Sequence, residues 1–392
     1  MSKWILMPDS FKGTMSSLEI CRLMREALLR HVPDAEVVSI PVADGGEGSV
    51  EAFLAAMGGH RVEVPCTGPD FRKISGFYGL LADGYTAVIE MAAAAGLPLM
   101  EGRLCAEGAT TYGVGELILA AIRDGARRII LGLGGSATND GGAGMLQALG
   151  ARVVDDQGCD VAPGLAGLEQ VASVDLAPAL QALDGARIVV LSDVENPLVG
   201  RRGALAVFGG QKGLPTDDAE VLRGYGRLLD AAIAGARARG LLRTPEGART
   251  FGSVLGVPGA GAAGGLGAAL LALGAELRSG VETVLDLVGF DERVRDVDLV
   301  ITGEGNMDEQ SAAGKAPVGV ARRAKRYGKP VVAAVGGRAV NLDAVYEQGI
   351  DLVLPICRKP MDLEQALDPQ EATTNLICAG EAAAQAYDLA RI

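Results

Sequence analysis

The stretch Arg127–Gly150, RRIILGLGGSATNDGGAGMLQALG, constrains the fold more than any other. Ile129, Ile130 and Leu131 form a short apolar run of the kind that makes a buried strand. Gly132 to Gly142 then reads as a loop, after which Ala143, Met145, Leu146, Ala148 and Leu149 resume at helical spacing. Strand, glycine loop and helix in that order is the unit from which parallel α/β sheets are built. Gly132, Gly134, Gly135, Gly141 and Gly142 permit positive φ and let a ligand approach the backbone. Backbone N–H groups converging beside a helix N-terminus make an anion site. Ser136, Thr138, Asn139 and Asp140 add donors and acceptors to it. The bland alternative is a strand–helix turn whose polar residues only cap the helix.

Part of the loop, Gly132–Ala137 (GLGGSA), also fits the glycine fingerprint of dinucleotide sites, and Asp155 and Asp156 follow about 20 residues on. That reading leads to a nicotinamide-dependent oxidoreductase. It fits less well than a phosphate or substrate loop. The fingerprint begins its helix inside the pattern, whereas here polar residues and two more glycines follow.

Bulk properties narrow the class. The 392 residues suggest two or three domains, and 49% hydrophobic with 22% charged residues suits a soluble globular enzyme. A net charge of −13 without a basic cluster argues against general nucleic-acid binding. The six cysteines are scattered, with no C-x-x-C, so neither a zinc site nor a disulfide framework is indicated. A reducing, cytoplasmic setting without a signal peptide is expected. Val254–Ala275 is uncharged, but its seven glycines and Pro258 make it a glycine loop leading into a buried helix rather than a membrane span. His31 and His60 lie in ordinary segments, which leaves proton transfer to carboxylates or lysines. Four of the eight lysines adjoin glycine; Gly328-Lys329-Pro330 reads as a helix C-cap before a strand, whereas Lys12, Lys212 and Lys315 sit in polar glycine-flanked settings suited to holding phosphate.

Taken in order, the chain opens β-α-β-α, with strands at Trp4–Met7 and Glu36–Ile40. From residue 60 the rhythm becomes a meander of His60–Pro65, Gly76–Leu81 and Thr86–Glu90. Arg187–Leu191 reads as a further strand and Val221–Arg239 as a long helix. The β-α rhythm returns near residue 290 with a strand at Leu299–Thr302, a loop at Gly303–Asp308, a helix at Lys315–Tyr327 and a closing helix at Gln370–Leu389. The expected organisation is a discontinuous α/β domain of residues 1–60 and 290–392, with residues 61–289 inserted as a second α/β domain that carries the glycine loop.

Acidic residues recur just past strand ends among glycines: Asp9, Asp44, Glu47, Asp140, Asp193, Glu304 and Asp308. In open α/β sheets ligands bind at the carboxyl ends of strands. Carboxylates beside lysines and phosphate loops there suit Mg²⁺-assisted phosphoryl transfer, because Mg²⁺ takes one or two carboxylates plus phosphate oxygens. Any single one of these acids is equally at home as a cap or turn residue. Walker A, protein-kinase and nucleophile-elbow patterns are missing from the sequence.

Six stretches together resemble the bacterial glycerate kinase family of the glycerate 2-kinase type. They are Pro8–Gly13 (PDSFKG), Ala43–Gly48 (ADGGEG), Gly132–Gly150, Asn196–Gly213, Pro258–Ala272 and Asp298–Arg322. The resemblance spans nearly the whole chain. It implies a discontinuous flavodoxin-like parallel-sheet domain with a second α/β domain inserted. It also implies MgATP-dependent phosphorylation of D-glycerate, with the 2-position favoured, by a monomer or homodimer. Three places depart from the family's pattern. Ser192 and Glu195 stand in the C-D-V-D-N-P-L stretch, Gly210 in F-G-P-Q-K-G, and Asn306 and Glu309 in G-E-G-R-x-D-x-Q-T. The last pair leaves open a weakened sugar-acid binding protein. Under the kinase reading Asp193 is the general base, and Asp44, Glu304 and Asp308 are candidates for Mg²⁺. Phosphates or the substrate carboxylate fall to Ser10, Lys12, Gly134, Gly135, Ser136, Thr138, Asn139, Asp140, Lys212 and Lys315, of which Lys315 is also a catalytic candidate.

Overall fold

The computed structural model describes residues 2–11, 13–42, 45–214, 219–238 and 254–389. The chain divides into two compact units: Met1–Asp44, Glu51–Gly58 and Gly280–Ile392 in one, Gly45–Val50 and Gly59–Ser279 in the other.

The first unit holds a five-stranded sheet in the spatial order Leu352–Pro355, Val331–Arg338, Leu299–Met307, Lys3–Pro8, Glu36–Ser39. Every pairing is parallel. Numbered along the chain within this unit, the order is 2-1-3-4-5, the flavodoxin-like arrangement. Strand order reverses between Lys3–Pro8 and Leu299–Met307, and ligands bind at such a switch point in sheets of this kind. Trp4, Leu6, Leu299 and Ile301 form one face of the core with residues of the helices Ser17–His31 and Pro369–Leu389. Ser16 starts the first helix by accepting the Glu19 N–H.

Two details differ from the sequence reading. The expected loop at Gly303–Asp308 is largely strand, because Leu299–Met307 stays paired with Val331–Arg338 as far as Met307. The segment Gly280–Val294 belongs with this unit, whereas the pattern placed the boundary at 290. Arg323 holds it there, donating to Glu282, Asp286 and Asp291 at 2.7–3.0 Å. Gly319 leaves room for Val281, whose Cγ1 would lie 2.4 Å from a Cβ at that position.

The second unit holds a six-stranded sheet in the order Glu276–Arg278, Arg187–Leu191, Arg128–Gly132, Thr86–Glu90, Lys73–Leu81, Gly59–Thr67. The first four strands run parallel, and the last three form the antiparallel meander. Arg128–Gly132 is therefore interior, with Ile129, Ile130 and Leu131 wholly buried. The stretch after Val254 condenses into short 3₁₀ turns and the buried helix Leu266–Ala272. Among the described residues no helix is long and apolar enough to cross a membrane. The long helix runs Ala219–Ala238, and Arg239 lies outside the described residues.

Candidate active site

The candidate residues fall on both units. In the first, Lys3–Pro8 ends in Asp9 and Ser10, and the Asp9 N–H donates to the Gly303 carbonyl at 2.8 Å. Ser10 turns its own N–H onto the Asp9 carboxylate at 2.6 Å. Beyond Gly303 the central strand outruns its neighbour and carries Glu304, Asn306 and Asp308 onward. Glu304 is 5% exposed, and its Oε1 has no hydrogen-bond partner. Burial pushes its carboxyl above the usual range, while Ser311 and the Lys315 charge pull it back. Lys315 precedes the helix Ala316–Lys325, with Nζ 3.7 Å from Glu304 and 3.9 Å from Asp308.

Asp308 is an N-cap: it accepts the Gln310 N–H at 2.9 Å, and Ser311 returns the contact to its backbone. Its other oxygen accepts from Asn306 Nδ2 at 3.1 Å. Glu309 is exposed on the turn that follows. Lys12 and Asp44 lie outside the described residues.

In the second unit the glycine loop runs from Gly132 to Gly142, ahead of the helix Ala143–Ala148. Its glycines do two different jobs. Gly135, Gly141 and Gly142 adopt positive φ. Gly132 and Gly134 instead admit a neighbour: Cβ atoms there would lie 2.2 Å from the Gly45 carbonyl and 2.6 Å from Gly46 Cα. The Gly134 N–H donates to that same carbonyl at 3.0 Å. Gly45 and Gly46 thus meet Gly132 and Gly134 backbone to backbone.

The helix N-terminus expected to receive an external anion already holds one. Asp140 is fully buried and accepts from Thr111 N and Oγ1, Thr110 Oγ1, Gly142 N and Gly144 N at 2.8–3.4 Å. The Met145 N–H goes to Thr111 Oγ1. Asp140 is therefore the anion of its own helix and holds the loop closed. Its complete burial raises the carboxyl above the usual range against the pull of these donors. Thr110, Thr111 and Tyr225, whose hydroxyl donates to the Asn139 carbonyl, carry no local signal of these contacts in the sequence. Nor does Glu90, buried at the end of its strand and accepting the Val50 N–H at 2.7 Å.

Lys212 is 2% exposed, and its ammonium donates to Ser136 Oγ at 2.7 Å and to the Thr138 carbonyl at 2.8 Å. Burial brings its pKa down to about 7. Thr138 Oγ1 and both polar atoms of Asn139 are buried without a hydrogen-bond partner. Asp193 is exposed, just past the strand Arg187–Leu191. Asp155, the acid that a dinucleotide site would need, closes a turn by accepting the Gln157 and Cys159 N–H groups.

Comparison with known proteins agrees with this architecture. A family model described as the glycerate kinase family matches residues 4–388. A glycerate kinase from Bacillus subtilis (strain 168) is 43% identical over 370 residues, covering 93% of each chain. A glycerate 2-kinase from Escherichia coli (strain K12) is 43% identical over 366 residues, again 93% of each. A crystal structure assigned to a glycerate kinase 2 of Salmonella typhimurium LT2 superposes with a TM-score of 0.82 at 41% identity, covering 100% of this chain and 99% of that one.

Proposed function

The chain belongs to the glycerate kinase family, and from that premise we propose that it uses MgATP to phosphorylate D-glycerate at the 2-hydroxyl. The observation that carries the metal and nucleotide part of this reading is the group Glu304, Asp308 and Lys315 at the carboxyl end of the central strand. A buried carboxylate with one unpartnered oxygen beside an ammonium suits a divalent cation and the phosphates that accompany it. Mg²⁺ takes one or two carboxylates, with phosphate and water supplying most of its other ligands. Glu304 and Asp308 are the residues that would hold it, with Asp44 as the remaining candidate. Bound there, Mg²⁺ supplies charge neutralisation for the transferring group.

The chain's own groups do the rest. Asp193 accepts the proton of the substrate hydroxyl as its oxygen attacks phosphorus. Lys315 places positive charge beside the phosphates. The Gly134–Asn139 segment takes the substrate carboxylate or a phosphate through its polar groups. Asp140 acts behind it by fixing the helix. We assign the protein to the cytoplasm, as a monomer or homodimer.

The test is ADP release from ATP across a panel of short hydroxy acids, with and without excess chelator, followed by ³¹P NMR of the product. A phosphoester on the 2-carbon couples to one proton and gives a doublet, whereas one on the 3-carbon gives a triplet. Turnover with glycerate that stops on chelation, with a doublet product, is expected. Turnover that persists in chelator removes Glu304 and Asp308 as metal ligands. Binding of glycerate without ADP release leaves a sugar-acid binding protein.

A further inference from the structure

The sequence assigns Lys212 the same task as Lys315, but the structure gives it a different environment. Its ammonium is almost wholly buried and directs two of its three donors at one loop, to Ser136 Oγ and the Thr138 carbonyl. The carboxylate that acts on it among the described residues is Asp140, through charge, and the hydrogen bonds of Asp140 go to Thr110, Thr111, Gly142 and Gly144. A buried ammonium without a bonded counter-ion opposes folding. Its presence therefore calls for an explanation other than stability.

The loop supplies one. Lys212 fixes positions 136 and 138, Tyr225 fixes the carbonyl of 139, and the two threonines fix 140. Between these clamps stand the Thr138 hydroxyl and the Asn139 amide, three buried polar atoms with no protein partner. Unsatisfied buried groups are rare in folded proteins, and each calls for a partner such as water, an ion or a polar ligand. We propose that Lys212 is a positioning residue: it holds Ser136 and Thr138 so that the Thr138 hydroxyl and Asn139 amide meet the hydroxy acid or its transferred phosphoryl group, and it does not itself touch substrate. This rests on the reading of Gly134–Asn139 as the anion-handling segment.

The test uses the full chain with glycerate and ATP. The variants are Lys212→Met, which keeps the stem's length and removes the ammonium, Ser136→Ala, their double variant, and Asn139→Ala. Kinetics are read together with hydrogen exchange of peptides spanning 132–146. Misplacement of reacting groups by about 1 Å costs on the order of 10²-fold in rate. Lys212→Met is therefore expected to lower kcat by that order while leaving KM for ATP nearly unchanged. Exchange at 134–140 should rise, and the double variant should fall well short of the product of the two single effects. Effects that multiply, with exchange unchanged, would make Lys212 a direct ligand and overturn the proposal. Should Lys212→Met fail to fold, Ser136→Ala decides alone: lower kcat with faster exchange supports the role, and unchanged kinetics sinks it. Unaltered turnover of Asn139→Ala overturns instead the underlying assignment of the segment, so the two failures are distinct.

Discussion

Lys212→Met also carries a stability prediction whose size follows from where the ammonium sits. Burial takes the lysine from 10.5 down to about 7, with the Asp140 charge opposing the shift. Between those two values the unfolded chain carries the proton and the folded chain does not, so stability rises with pH across that window. Below about 7 both states are protonated, and the whole desolvation penalty, several kcal/mol, is present. Methionine abolishes that dependence. It also leaves the Thr138 carbonyl without its donor, at roughly 1–3 kcal/mol. At pH 6 the variant should therefore be as stable as the parent chain or more so. As pH rises from about 7 the parent should gain on it about tenfold per unit in the folding equilibrium, or about 2 kcal/mol by pH 8.5. Trp4, the single tryptophan, lies in the other unit, so its fluorescence does not report on this site. Urea unfolding followed by hydrogen exchange of the 128–150 peptides reads the correct unit. A stability difference between parent and variant that stays constant from pH 6 to 9 would refute the argument.

Three further outcomes are expected. Asp193→Asn should lower kcat by roughly 10²–10⁴-fold, the usual worth of a general base, with the fold retained by circular dichroism; near-normal turnover would make it a turn residue. Lys315→Ala should raise KM for ATP or lower kcat by roughly 10–100-fold, the worth of one charge-assisted hydrogen bond, while melting stays within a degree or two. Unchanged kinetics would leave it only a counter-charge to Glu304 and Asp308. Asp140→Asn should destabilise the second unit by about 2–3 kcal/mol, because an amide turns N–H groups toward donors that need an acceptor; calorimetry showing no loss would mean that the helix is held by other contacts.

The alternation of strands and helices was legible because apolar β-branched runs and helical spacing are local signals. The unit from Arg128 through the glycine loop to Ala143 follows the pattern almost residue for residue. The Gly303–Asp308 segment did not, and the reason is steric. A Cβ at Gly303 would lie 2.1 Å from the Ala334 carbonyl, and one at Gly336 2.5 Å from the Gly305 carbonyl. Glycines that read as a loop are there to let two backbones approach within a sheet. Gly132 and Gly134 serve the same end against Gly45 and Gly46. Composition alone does not separate a glycine needed for φ from one needed for closeness, because the partner backbone lies far away in sequence.

The acids and lysines show the same limit with more consequence for chemistry. Asp140 and Asp193 both lie beyond the end of a strand. One is sealed by two threonines some 30 positions earlier, and the other faces solvent. Lys212 and Lys315 both adjoin glycine, yet one is 2% exposed and the other has a side chain 40% exposed. An exposed ammonium on a four-carbon stem can follow negative charge as it shifts from one phosphate oxygen to the next during transfer. A buried one with two fixed acceptors can only hold what it already touches. On the proposed reading, in which phosphoryl transfer depends on placement more than on covalent chemistry, the exposed lysine meets the moving charge and the buried one keeps its surroundings still. That division of labour is set by burial, which the local sequence around either lysine does not encode.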